Sequence, residues 1–113
     1  MDEEIRTTSV DPKDLDSTIE LFKIISSKTR YDVLRELAKD TRCFTELHTA
    51  LGYSQKTIAQ CLDDLLKIKA ISRVGRGYSL SPLGKLILLQ LKELSALLKK
   101  VREVEDMDFE FEF

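Results

Sequence analysis

Between Ser54 and Pro82 the apolar residues change period twice, and that order restricts the chain to very few architectures. From Ser54 to about Lys69 they recur at helical spacing, with Ser54 as cap and Ile58, Cys61 or Leu62, Leu65 and Ile68 as the inward row. After Ala70 the period drops to 2. Ile71, Ser72, Arg73 and Val74 alternate, Gly75, Arg76 and Gly77 make a tight turn, and Tyr78, Ser79 and Leu80 alternate again. Ser81 then caps a further helix with Pro82 at its first position, where a missing amide hydrogen costs nothing. Helix, hairpin and long helix in direct succession predict a mainly α chain with a small β-hairpin, an α+β fold.

The residues upstream extend the pattern. Residues 1–13 lack apolar periodicity and read as a loose acidic arm. Leu15, Ile19, Phe22 (or Leu21) and Ile25 form a first helical stripe, ended by Ser26 and Ser27. Ser27 caps a second helix reaching about Lys39, with Tyr31, Leu34, Leu37 and Ala38 on one face and Lys28, Arg30, Arg35 and Lys39 outward. Residues 41–44 are a short connector with room for a small strand. Thr45 can cap a short helix over 46–51, with Leu47 and Leu51 inward and Gly52 as its left-handed stop. Two helices joined by a three-residue turn containing Gly make a helix-turn-helix, and the hairpin after it is then a wing. The expected fold is a winged helix-turn-helix over residues 14–104 with a long C-terminal dimerisation helix. In that helix Ile87, Leu91, Leu94, Leu98 and Val101 follow 4-3-4-3 spacing, and Leu83, Leu86, Leu89 and Leu97 add apolar surface beside them. So wide a stripe exceeds what one domain covers, so a second copy is the expected partner; a helix folded back on its own domain is the alternative.

Composition sharpens this reading through charge. The 113 residues, 42% hydrophobic and 34% charged, suit one globular domain. The formal net charge of -2 hides an uneven distribution. Residues 1–16 carry -4 and residues 103–113 carry -6, whereas residues 17–102 hold sixteen bases against eight acids, or +8. A basic body between acidic ends points to a polyanionic partner. The tail, residues 105–113, alternates acids with aromatics, and three readings stay open: a disordered solubilising end, an ordered edge or swapped contact, or a DNA mimic competing for the basic face. Cys43 and Cys61 are expected to be thiols packed as small hydrophobes, with a redox pair left open. The longest mainly apolar stretch, near residues 83–98, is interrupted by Lys85, Lys92 and Glu93, and no secretory apolar region follows the acidic residues 1–6. A cytoplasmic chain with no membrane contact is expected. With no phosphate loop, nucleophile elbow or metal-ligand cluster and one histidine, the reading is not an enzyme, with no cofactor and no metal.

The residue types at the helix starts fit double-stranded DNA. A recognition helix offers its N-terminal residues to base edges, here Ser54, Gln55, Lys56, Thr57 and Gln60. Gln can pair with adenine, Lys with guanine, and Ser or Thr with bases or phosphates. On the wing, Arg73, Arg76 and Tyr78 surround a Gly-rich tip that lets a guanidinium approach phosphates or a minor groove. Ser27, Lys28 and Arg30 begin the second helix, where free amides favour a phosphate. Lys67 and Lys69 complement a helix C-terminus instead. Two rival functions share this fold: a protein-protein adaptor, which would carry an apolar patch at the recognition helix, and a non-specific architectural DNA binder.

Three segments taken in order, Ile25-Ser-Ser-Lys-Thr-Arg-Tyr-Asp-Val-Leu-Arg-Glu-Leu37, Phe44-Thr-Glu-Leu-His-Thr-Ala-Leu-Gly-Tyr-Ser-Gln-Lys-Thr-Ile58 and Gly77-Tyr-Ser-Leu-Ser-Pro-Leu-Gly-Lys85, resemble the ArsR-type winged-helix regulators, most of all their archaeal relatives. The resemblance spans roughly residues 17–100. It implies a DNA-binding homodimer with the second helix of the turn in the major groove and the hairpin on the backbone or minor groove, and a packing role for the arginine at position 30. Metal-sensing members carry a Cys-x-Cys pair before the recognition helix; here that stretch holds Cys43 and His48 with one thiol, too few ligands for zinc. The function expected is a sequence-specific, homodimeric transcriptional regulator, with its effector unassigned.

Overall fold

The computed structural model describes residues 10–107; residues 1–9 of the expected arm and 108–113 of the expected tail lie outside them, while Asp11 caps the first helix, Pro12 and Lys13 begin it, and residues 105–107 continue the last one. The order is α1 (Pro12–Ile25), α2 (Lys28–Lys39), β1 (Arg42–Cys43), α3 (Phe44–Leu51), α4 (Gln55–Lys67), β2 (Ile71–Val74), β3 (Gly77–Leu80) and α5 (Pro82–Met107). The strands form an antiparallel sheet in the order β1-β3-β2, with Arg42 opposite Tyr78 and Val74 opposite Gly77. A mainly α winged helix with a small sheet is thus observed.

The core lies where α2, α3 and α4 meet the sheet. Val33, Leu34, Leu47, Ile58, Leu62 and Leu65 are fully enclosed, and Leu37, Ala70, Ile71, Leu80 and Ile87 extend the cluster toward β2, β3 and α5. These are the inward positions of the helical rows, with the outward positions left to charge. The exceptions are informative. In α1 only Leu21, Ile24 and Ile25 pack on the core, and Leu15, Ile19 and Phe22 remain exposed, because α1 meets the domain along one edge. In α2 the buried triplet is Val33, Leu34 and Leu37, rotated from the expected face, and Tyr31 and Ala38 lie outside it.

Element ends follow local hydrogen bonding. Helix α3 begins at Phe44, earlier than a Thr45 cap implies, because the Cys43 amide donates to Glu46 Oε1 at 3.0 Å and so caps the helix two residues sooner. Gly52, at φ 74°, closes α3 with its amide on the His48 carbonyl. Helix α4 stops at Lys67, because Lys69 turns left-handed at φ 62°. The Lys69 amide then donates to Leu66 and the Ala70 amide to Leu65, both at 3.0 Å, a Schellman closure with lysine where glycine is usual.

That closure meets the start of α5. Ser81 Oγ donates to the Lys69 carbonyl at 2.6 Å and accepts from the Gly84 amide at 3.1 Å, while the Ser81 amide donates to Ala70. Gly84 sits so close that a Cβ there would collide with the Ala70 carbonyl oxygen and the Leu80 side chain. Gly77 belongs to β3 and not to the turn: the loop is Gly75 and Arg76 alone, with Gly75 at φ 59°. Gly77 and Tyr78 each pair with both β1 and β2, and at Gly77 a Cβ would stand 3.0 Å from the Arg42 carbonyl oxygen.

Candidate nucleic-acid interface

The start of α4 is held from two sides. Ser54 Oγ accepts from the Thr57 amide at 3.1 Å and donates to Thr57 Oγ1 at 2.9 Å, which satisfies the first turn and leaves Gln55 and Lys56 exposed. In the preceding turn, His48 Nδ1 donates to the Tyr53 carbonyl at 2.7 Å, and the Tyr53 hydroxyl donates to Asp32 Oδ2 in α2 at 2.6 Å. Lys28 Nζ reaches the same oxygen at 3.0 Å. The Tyr53 hydroxyl, then the Lys28 ammonium, stabilise the charged carboxylate and hold Asp32 below the usual carboxylate range; in return Asp32 pushes Lys28 up.

The second anchor is Arg30. Its Nε and Nη2 both bond Asp64 Oδ2, at 3.1 and 2.7 Å, and Nη1 bonds the Ile24 carbonyl at 3.1 Å. Asp64 also accepts from Gln60 Nε2 at 3.1 Å, and the Arg30 guanidinium holds its carboxyl low. This pair ties α1, α2 and α4 together beside the buried Cys61, whose thiol is pushed up by its own burial. Above the pair runs a shallow groove edged by Ser27, the cap of α2, and Thr29 in its first turn, and by Lys56, Thr57 and Gln60 from α4. Of the anticipated helix-start residues, Ser27, Arg30, Lys56, Thr57 and Gln60 therefore share one groove. Arg30 forms its floor with its donors turned to Asp64, and Lys28 stands beside the groove on Asp32.

The wing residues form a second group. Arg73 and Tyr78 face each other across β2 and β3, with the guanidinium carbon 5.4 Å from the ring centroid and Nη1 3.4 Å from the hydroxyl. Arg76 stands exposed at the tip. The anchors Asp32, Tyr53 and Asp64 escaped sequence reasoning. Only Tyr53, a large aromatic inside a polar turn, carried a local signal; Asp32 and Asp64 look like ordinary helix-surface acids until α2 and α4 are packed together.

On α5 the anticipated interface residues divide. Ile87 is enclosed in its own domain's core and Leu91 is half-buried against it, whereas Leu94, Leu98 and Val101 are about half exposed, together with Leu97 and Val104.

A family model described as "Methanogenesis regulatory protein FilR1, N-terminal domain" matches residues 19–102. Among solved structures, an ArsR-like transcriptional regulator from Rhodococcus sp. RHA1 is similar with a TM-score of 0.60 at 20% sequence identity, covering 91% of this chain and 100% of that one. At that identity the likeness is one of fold. No curated protein matches the chain. Because the family model spans most of the sequence, from within α1 to the distal part of α5, the chain belongs to the FilR1 N-terminal domain family, on an ArsR-like winged-helix regulator fold.

Proposed function

We propose that the chain is a sequence-specific double-stranded DNA-binding regulator acting as a homodimer, with α4 in the major groove and the wing on the backbone or minor groove. The observation that carries this is the groove in which the N-terminal ends of α2 and α4 lie side by side, edged by Ser27, Thr29, Lys56, Thr57 and Gln60. Two sets of helix N-termini beside a lysine favour phosphate, and Gln55, Lys56 and Gln60 are exposed at the end of a recognition helix that meets base edges. The arginines of the wing supply a second cationic contact, and the +8 of residues 17–102 supplies the long-range attraction. The half-exposed seam of α5 from Leu94 to Val101 is where the second copy would pack.

Duplex binding measured across a salt series tests this. Arg76→Ala is expected to weaken binding to all sequences and to reduce the slope of log affinity against log salt by about 1. Lys56→Ala is expected to cost about 1–3 kcal/mol on a selected duplex and less on a mixed one. Salt-insensitive binding, or binding indifferent to both substitutions, would reject the assignment.

A further inference from the structure

A second groove, of about 560 Å³, runs between α2 and α5, and none of its lining residues belongs to α4 or the wing. Its apolar floor is Ala38, Leu88 and Leu91, and its rim carries the Tyr31 ring and the cations Arg35 and Lys92. Small-molecule sites occupy roughly 300–1,000 Å³, so the groove has the size of one. Along α5 it runs from Leu88 to Ser95, a rise of about 10 Å.

The two cations are what this groove leaves unsatisfied. No carboxylate lines it, and neither Arg35 nor Lys92 makes an ion pair among the described residues. Their own helices supply no free acid either. One turn from Lys92 stand Leu88, Leu89, Ser95 and Ala96. One turn from Arg35 stand Tyr31, Ala38, Lys39 and Asp32, and the Asp32 carboxylate already accepts from Tyr53 and Lys28. Two like charges on one rim repel, and an anion between them turns that repulsion into two attractions. A phosphate backbone would leave the apolar floor unmatched, whereas an apolar body with one acid group matches floor and rim together.

The groove is also separate from the face left for a second copy. The exposed leucines and valines of α5 are Leu83, Leu86, Leu89, Leu94, Leu97, Leu98, Val101 and Val104. At about 100° per residue they centre about 150° around the helix from Leu88, Leu91, Lys92 and Ser95, so a copy seated on them covers the opposite face.

We propose that this groove binds a small amphipathic carboxylate, its acid group held between Arg35 and Lys92 and its apolar body on Ala38, Leu88 and Leu91. The ligand bridges α2, which Arg30 and Tyr53 tie to α4, and α5, which carries the exposed seam. Its occupancy is therefore coupled to duplex affinity. That coupling rests on the DNA-binding reading; the site itself does not.

The test titrates octanoate, whose chain is about as long as the floor, into the full chain, with octanamide as the uncharged counterpart. Amide chemical shifts are the readout, and they also report that each variant is folded. Octanoate is expected to saturate with a Kd of about 10⁻⁴ M, to move the amides around Ala38, Leu88 and Leu91, and to bind about tenfold more tightly than octanamide. Arg35→Ala with Lys92→Ala is expected to remove that preference. Ala38→Leu, at an exposed helix position, is expected to abolish binding of both probes by filling the floor. No saturation, equal binding of the two probes, a preference that survives the double variant, or shifts confined to residues 94–104 would overturn the site. Octanoate is further expected to change duplex affinity about fivefold in the native chain and not in Ala38→Leu. An unchanged duplex affinity with the site occupied would overturn the coupling alone. A chain that binds octanoate but no duplex would overturn the DNA-binding reading and leave the site standing.

Discussion

At the scale of single residues, two positions concentrate the packing demands of the fold. Gly84 has no room for a side chain against the Ala70 carbonyl, and the wing and α5 both hang on that junction. Gly84→Ala is expected to destabilise the domain by about 2 kcal/mol or more, seen as a lower denaturant midpoint at unchanged slope. Asp64 is the other, because it accepts from Arg30 and Gln60 and so joins α2 to α4. Its carboxyl titrates lower in the folded chain than in the unfolded one, as does that of Asp32. A depressed folded value contributes stability above the unfolded carboxylate pKa, and that stability is lost as pH falls through the folded value. Melting temperature should therefore fall below about pH 4. Asp64→Asn is expected to cost about 1–2 kcal/mol at pH 7 and to make that acid limb shallower. An equally steep limb in the variant would assign the acid sensitivity elsewhere.

At the scale of elements, the end of α4 is the instructive case. Its Schellman closure places Lys69 at φ 62°, a conformation that costs a β-carbon-bearing residue about 1 kcal/mol. Lys69→Gly is expected to raise stability by about 0.5–1 kcal/mol, since the hydrogen bonds of the closure are all backbone or from Ser81. A loss of stability would mean that the Lys69 side chain itself contributes at the C-terminus of α4. The opposite end of α4 is set differently: Ser54 caps it, and the Tyr53–Asp32 bond fixes the turn to α2. The polar end proposed to meet DNA is thus the one tied by side-chain hydrogen bonds.

At the scale of the whole molecule, shape is decided by α5. Its 26 residues extend the chain to 53 Å in its longest dimension, with a radius of gyration of 17.7 Å. A compact chain of this length would have about 13 Å, so the helix projects well beyond the core. Beyond Leu91 the described side chains of α5 are exposed, apolar ones included. Leu94→Glu with Leu98→Glu is expected to yield a monomer by sedimentation while the far-ultraviolet signal of the winged helix persists, because neither side chain enters the core. A dimer that survives both substitutions would move the interface to the exposed face of α1, where Leu15, Ile19 and Phe22 lie.

Local rules were enough for much of this chain. Helical spacing, Ser caps, Pro82 at the first position of α5 and the period switch at Ala70 made the winged helix legible, because caps, turns and periodicity act over a few residues. The polar start of α4 and the arginines of the wing were legible for the same reason. What the tertiary structure alone decided depends on partners distant in sequence. Ile87 fits the 4-3-4-3 pattern as well as Leu94 does, yet only the position of the sheet and α2 buries the first and leaves the second exposed. Likewise Gly77 gained a neighbour on each side when β1 paired with β3, and Arg30 turned to Asp64, 34 residues away. The apolar period fixes which face of a helix is buried, but what lies against that face is a property of the packed chain.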